Sequence, residues 1–450
     1  MFKKFFESLY DLFCGIKKEE WPKVLGMAAF FFLVIAIFWI LKPMKRGVLI
    51  SFYQDSPIEI FGTVLFGPEI EQIAKVLNMV FAFLMVIGFT YLYKKISRRL
   101  LVISVSGLMA ILFILYGRML ASPGHFDIWS FYIFGDMYNT ALVTLFWAFT
   151  NDIFTSEQAR RSYGFVGLGG ILGGVVGATY VTLLVESVGR EMLMYMSVIP
   201  MLLIAVIGVI IDKREGAPKK PDSMPDQPKS NVALEGARLV LNSKYLLAIA
   251  AMLGVYELVS NIVDFQLSAA IALFVEGDLE RDAYFGLVGI ITNLAAVFVQ
   301  MFVTGLVMIN FGVGIALLLL PIMIAFGSLG FFIVPSLLFA TIMSASDNSL
   351  NYSIQQSAKE ALYTPTPRDV KYKAKAFIDM FIQRGAKAVA VFLNIGMAVY
   401  FGLENVFWLS LFVLFMIVLW ILLVRYMGRE FKSLARHEPE QSTAKDKCWN

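Results

Sequence analysis

The sequence predicts an all-α polytopic membrane protein with about twelve transmembrane helices in two six-helix halves, and three observations carry that expectation. The first is composition: 58% of the 450 residues are hydrophobic and 16% are charged, where a soluble domain carries roughly a quarter charged. Mean hydropathy is +0.72. The second is the recurrence of apolar runs of about 20 residues, the length that crosses the hydrocarbon of a bilayer. The third is a midchain stretch, KREGAPKKPDSMPDQPKSNV (213–232), rich in Pro and Lys and almost free of large apolar side chains, which reads as a flexible linker.

Taken in order, the segment MFKKFFESLYDLFCGIKKEEW is amphipathic, of mixed charge and without a small-residue cleavage site. Residues 1–22 are therefore expected as a retained surface segment. Spans follow at 24–52, 70–93, 100–120, 128–150, 162–185 and 191–211, then at 244–273, 283–308, 311–331, 334–356, 374–400 and 404–424. This gives a first half at 23–212, a linker at 213–243, a second half at 244–427 and a tail at 428–450. Alternate connections carry the cations: YKKISRRL, QARRS, the linker lysines, RDVKYKAK and the tail RYMGREFK. The opposite connections carry Asp55 and Glu59, or Glu276, Asp278 and Glu280. The positive-inside bias then places both termini and the linker in the cytoplasm. Six helices on each side of a cytoplasmic linker is the plan of the major-facilitator architecture. The N-terminus lacks the acid-poor character of an organelle transit peptide, so a bacterial inner membrane is the expected location.

The two halves also echo each other. FWAFTNDIFTSEQARRSYGFVGLGG closes the fourth span, and NYSIQQSAKEALYTPTPRDVKYKAKAFID closes the tenth. Both run from a polar-spotted helix through a short connection to a cationic helix start, as duplicated three-helix units of a transporter would.

Several chemistries are excluded as expectations. Cys14 and Cys448 stand near opposite termini, and His125 and His437 are the two histidines, so neither a disulfide framework nor a metal centre is expected. A Ser and His pair, metal-ligand spacing and a nucleotide-hydrolysing motif are all missing, so neither an enzyme nor a cofactor is expected. A net charge of +4 gives no footprint for nucleic acid. The lipid bilayer is the expected surrounding, and a monomer is compatible with the sequence.

Ionisable groups inside spans cost several kcal/mol and need a partner or a wet cavity, which makes them the candidate functional residues. In FWILKPMKRGVLISFY, Lys42, Lys45 and Arg46 share one helix face at i, i+3 and i+4. They either snorkel at the helix end or face a cavity. The cavity reading is favoured because apolar residues continue to Tyr53, and because cations on the outer side oppose the positive-inside bias. Pro43 adds a potential kink. Asp136 and Asn139 share a face of the fourth span, as a structural counter-ion or as a substrate or proton site. Glu257, Asn261, Asp264 and Ser268 stripe the seventh, Ser344, Asp347, Asn348, Asn351 and Gln355 the tenth, and Lys375, Asp379, Gln383 and Lys387 the eleventh. The glycines from Gly164 to Gly177 suit close helix packing better than a phosphate loop, since no Walker lysine follows. Such a set suits a large polyanion with hydrogen-bonding groups.

These stretches resemble the nucleotide transporters of intracellular bacteria and plastids, the ATP/ADP translocases distinct from mitochondrial carriers. The resemblance covers essentially the whole chain and rests on FWAFTNDIFTSEQARRSYGFVGLGG, TPTPRDVKYKAKAFIDMFIQRGAKAV and LKPMKRGVLI. It implies exchange of nucleotides by alternating access without hydrolysis, or their import with protons. By position, Lys45 matches a functional lysine of the family's first helix, Asp136 a glutamate of the fourth, and Lys373 or Lys375 a lysine of the eleventh. Lys42, Lys45, Arg46, Lys373 and Lys375 would then attract phosphates. Asp136 and Asp264 would separate those cations or take up a proton, and Trp39, Tyr138 and Phe265 could stack on a base. The sequence departs from the family at Arg46, where exchangers usually carry an acid, and in LVSNIVDFQLSAA, where they carry an acid followed by Trp-Lys. Another phosphorylated or organic anion, an amphiphile, or a receptor or assembly role without transport stay open as alternatives.

Overall fold

The computed structural model describes residues 16–60, 62–215 and 231–446. The expected surface segment up to residue 15, with Cys14, lies outside them, as do linker residues 216–230 and Cys448. Contacts group the chain into two units, Met1–Met224 with Ile271–Leu294, and Pro225–Ala270 with Ala295–Asn450.

Unit one is built on α1 (Trp21–Asp55), which starts with Pro22 in its first turn and runs on through Pro43. At about 1.5 Å per residue such a helix exceeds the ~30 Å of bilayer hydrocarbon. A hairpin follows in the first connection: β1 (Ile58–Ile60) pairs antiparallel with β2 (Thr63–Leu65), Glu59 opposite Val64. Gly62, with φ +76°, supplies the left-handed residue of its turn. Then come α2 (Gly67–Lys95), α3 (Arg98–Met119), α4 (His125–Ile153) and α5 (Ser156–Glu215). Ser97 caps α3 by accepting the Leu100 N–H at 3.3 Å. Gly189, with φ +81°, breaks α5 into two rods. These correspond to the expected fifth and sixth spans.

Why α1 and α5 pack so closely is written in the glycines. A Cβ on Gly169, Gly173 or Gly177 would fall inside contact with the carbonyl oxygens of Ala28, Phe32 and Ala36 in turn. Four-residue spacing keeps them on one face, so the two backbones meet along three turns. Aromatic side chains of α1 and α4 fill the other flank, Phe31 stacking on Phe146 with centroids 4.3 Å apart.

The chain goes on through α6 (Asn231–Asn242), α7 (Lys244–Phe274), α8 (Asp278–Phe298), α9 (Gly305–Asn310), α10 (Val313–Ile333), α11 (Leu337–Leu350), α12 (Gln356–Leu362), α13 (Arg368–Phe377), α14 (Gln383–Phe401) and α15 (Leu409–Asp446). Turns of π-helix at Val299–Thr304, Asn351–Gln355 and Ile378–Ile382 splice α8 to α9, α11 to α12 and α13 to α14. The linker expected over 213–243 gives way to helix at Asn231, because NVALEGARLVLN places Ala237, Val240 and Leu241 at i, i+3 and i+4. In unit two, α6 packs on α13, and a Cβ on Gly236 would fall inside contact with the Lys373 carbonyl. The core of unit two is partly polar: Gln266 donates to the Val406 carbonyl at 3.0 Å and to Ser410 Oγ at 2.9 Å.

Among the described residues, eight helices are long and apolar enough to cross a membrane. Each of the twelve expected stretches is mostly helical, α5 holding two of them and the polar-striped α4, α11–α12 and α13–α14 three. The protein is an all-α polytopic membrane protein.

Gly173→Val should destabilise the protein by about 3 kcal/mol, the upper end of overpacking costs, since its side chain has only backbone to displace. Thermal unfolding in detergent measures this, with Gly167→Ala, which meets open space, expected to stay near wild type.

Candidate functional site

Each unit carries its own cluster of charged groups. In unit one the three cations of α1 do not form one patch, because each goes to a different partner. Lys45 exposes 6% of its surface and ion-pairs with Asp136 of α4, its ammonium 4.4 Å from the centre of the Tyr132 ring. Gly135 makes room for it: a Cβ there would sit 2.8 Å from Lys45 Cδ. Asn78 of α2 donates to the same Asp136 carboxylate. Arg46, 7% exposed, places Nε 2.7 Å from Glu71 Oε1 and its guanidinium carbon 4.6 Å from the Phe285 ring centre. Lys42 lies over Trp39 at 4.5 Å.

Glu71 and Lys75 complete this cluster. Glu71 is fully buried and takes Arg46, with Lys75 Nζ at 3.8 Å and the Tyr132 hydroxyl donating at 3.5 Å. Three cations, Lys45, Arg46 and Lys75, therefore gather around the carboxylates of Asp136 and Glu71. Neither Glu71 nor Lys75 was a candidate from the sequence. Yet Glu71, Lys75 and Asn78 follow the same i, i+4 and i+7 spacing that marked α7, and that spacing was the signal available. Asn139 is half-buried one turn from Asp136.

In unit two the pairing is looser. Glu257 of α7 lies 3.5 Å from Lys387 of α14, and its backbone carbonyl accepts from Asn261 at 2.7 Å. Asp264 is half-buried one turn on, its carbonyl accepting from Ser268. Asp347 of α11, 3% exposed, accepts from Ser260 at 2.5 Å. Asn351 opens the π turn that follows. The lysines of α13 diverge: Lys375 pairs with Glu360 of α12, while Lys373 pairs with Glu235 of α6 at 2.7 Å. Asp379 lies 3.7 Å from Lys359. Glu235, Lys359 and Glu360 were likewise not candidates.

The stretch that carries the repeat in the first half has a structural task. Gln158 and Thr155 exchange hydrogen bonds at 3.2 and 3.3 Å, and the buried Lys23 reaches Gln158 at 3.2 Å, the Ile153 carbonyl and Glu215 at 2.8 Å. Arg161 adds Glu20 at 2.9 Å. Burial pushes the Glu20 carboxyl up, but the Lys17 N–H and Arg161 outweigh it and hold it below its usual range. These bonds tie α1, α4 and α5 together at one end of unit one.

Residues 123–346 and 336–431 match the TLC ATP/ADP transporter family. The chain belongs to that family. Among curated relatives, this TLC chain is 22% identical over 471 residues to ADP,ATP carrier protein 3 of Rickettsia felis, covering 87% of this chain and 90% of that one. It is 22% identical to ADP,ATP carrier protein 1 of Chlamydia pneumoniae over 70% of each chain. Among solved structures, the TLC chain superposes on the nucleoside transporter NupG with a TM-score of 0.63 at 11% identity, over 90% of this chain and 99% of that one. The POT family transporter PepTSo gives 0.61 at 10% identity, over 90% and 98%. The likeness is one of fold.

Asp136→Asn should destabilise the folded TLC chain by about 3–5 kcal/mol, because it strands the buried Lys45 ammonium. The double variant Lys45→Met with Asp136→Leu should recover most of that loss in the same denaturation measurement.

Proposed function

We propose that this TLC-family chain is a secondary transporter that moves nucleotides across a membrane by alternating access, exchanging ATP and ADP or importing them with protons, without hydrolysis. The observation that carries the reading is the buried cluster of unit one, where Lys45, Arg46 and Lys75 converge on Asp136 and Glu71 inside a span. A phosphate chain can replace those carboxylates as the acceptor for the same cations. Ammonium and guanidinium groups already out of water lose little further hydration on binding it, and the attraction is less screened there than in water. Asp136 and Glu71 hold the cations apart while the site is empty, or one of them takes the coupling proton.

In unit two, Lys375 and Lys373 of α13, each held by its own glutamate, are proposed as separate phosphate-attracting groups, with Glu257, Asp264, Asp347, Asn351 and Asp379 as hydrogen-bonding or counter-charge groups. A second reading, transport of another phosphorylated or organic anion, is favoured by Arg46 and by the absence of a lysine in LVSNIVDFQLSAA. We place the chain in a bacterial inner membrane with both termini cytoplasmic, following the distribution of Lys and Arg among the connections.

Uptake of labelled ATP into proteoliposomes, preloaded with ADP or empty, tests this reading. Uptake that needs internal ADP, and that falls by about 100-fold or more in Lys45→Ala, is expected for an interaction worth ~3 kcal/mol in the transport cycle. Uptake absent from both vesicle types with correctly inserted protein, under an imposed proton gradient as well, would remove nucleotides as substrates.

A further inference from the structure

The first part of α8 stands after the central linker in sequence, yet its contacts assign it to unit one, beside α1 and α5. What holds it there is compact. Arg190, directly after the Gly189 break in α5, places Nε 2.5 Å and a second guanidinium nitrogen 3.1 Å from the two oxygens of Asp282, whose side chain is fully buried. The same nitrogen donates to the Asp278 carbonyl at 2.9 Å. Arg281 donates to Ser51 Oγ of α1 at 3.3 Å and to the Val275 carbonyl at 3.1 Å.

The rest of the contact is a seam of glycines. A Cβ on Gly47 would fall inside contact with the Asp282 carboxylate, one on Gly286 would sit 2.5 Å from Thr182 Oγ1, and one on Gly289 would sit 2.7 Å from the Trp39 ring. Gly174 of α5 lies against Asn293 in the same way. Each glycine here is a shallow notch that takes the tip of one facing side chain, Asp282, Thr182, Trp39 or Asn293. The main specific tie is an ion pair, whose partners regain hydration when they part, so its net contribution stays small and reversible. Well-packed apolar side chains in the same place would hold more firmly. Arg46 joins the seam to the charge cluster, since it touches both Glu71 and Phe285.

We propose that the first four turns of α8 form an outer gate, latched to unit one by Arg190–Asp282 and Arg281–Ser51, which releases to expose the Lys45, Arg46 and Lys75 cluster to the non-cytoplasmic side. This inference rests on the alternating-access reading above. Phosphate drawing Arg46 away from Phe285 loosens the seam, so substrate arrival and gate movement are linked through one side chain.

Two measurements on the full chain carrying Cys14→Ser and Cys448→Ser test the gate. The first adds Thr182→Cys and Gly286→Cys, positions close enough for the two thiols to bridge. Oxidation is expected to lower counterflow to about a tenth or less, and reductant to restore it, because the gate is held in one of its two states. Undiminished counterflow by fully cross-linked protein overturns the proposal. The second adds Ser51→Cys and follows its labelling by a membrane-impermeant maleimide, with and without Asp282→Asn. Loss of the latch should speed labelling about tenfold, a shift of ~1.4 kcal/mol in the closed-to-open balance. Equal rates in a monodisperse Asp282→Asn protein also overturn it. Labelling needs no substrate, so faster labelling in a protein inactive toward ATP supports the gate and removes only the nucleotide reading.

Discussion

A charge inside the hydrocarbon of a bilayer costs several kcal/mol unless it is paired or wet, and unit one is arranged around meeting that cost for Lys45 and Arg46. The two cations are adjacent on α1 and need carboxylates from different directions. α4 supplies Asp136 with Gly135 cleared for the lysine stem, and α2 supplies Glu71 with Asn78 and Lys75 on the same stripe. Three helices are thereby fixed at one level. The same arrangement gives the cluster its chemistry, because cations stripped of water and held by exchangeable carboxylates are ready to take a polyanion.

Packing and chemistry are kept on different surfaces. At the level of Ala28, Phe32 and Ala36 the α1 face toward α5 is a backbone-to-backbone contact made by Gly169, Gly173 and Gly177. The charged residues occupy the faces of α1, α2 and α4 that meet one another. In unit two the helices that carry Asn351 and Asp379 are spliced by π turns, and these carbonyl shifts let a helix redirect its polar stripe within a span.

Much of this was legible before any coordinates. Apolar run length foretold the long helices, eight of which among the described residues are long and apolar enough to cross a membrane, and the glycine run announced its packing face by spacing alone. Lys45 and Asp136 were found separately, each as an ion in an apolar run, but no rule of spacing says that one meets the other across more than 90 residues of chain. Glu71 was missed because it lies near the start of α2, where a charge reads as an interfacial residue. The hairpin at residues 58–65 was too short for its alternation to register, and α6 was hidden behind the proline-rich stretch before it. The divergence of Lys373 from Lys375 depends on Glu235 and Glu360, which only the folded chain brings near.

The central claim is that the paired cations of unit one are where phosphate binds. The direct measurement is the unfolding temperature of the purified protein against ATP concentration, in wild type, Lys45→Ala, Lys75→Ala and Gly167→Ala. Binding to the folded state alone adds about 2.7 kcal/mol at 100 times the dissociation constant. The account predicts a concentration-dependent rise in wild type and Gly167→Ala, weakened in Lys75→Ala and lost in Lys45→Ala. An equal rise in all four proteins would contradict it and move the phosphate site away from Lys45.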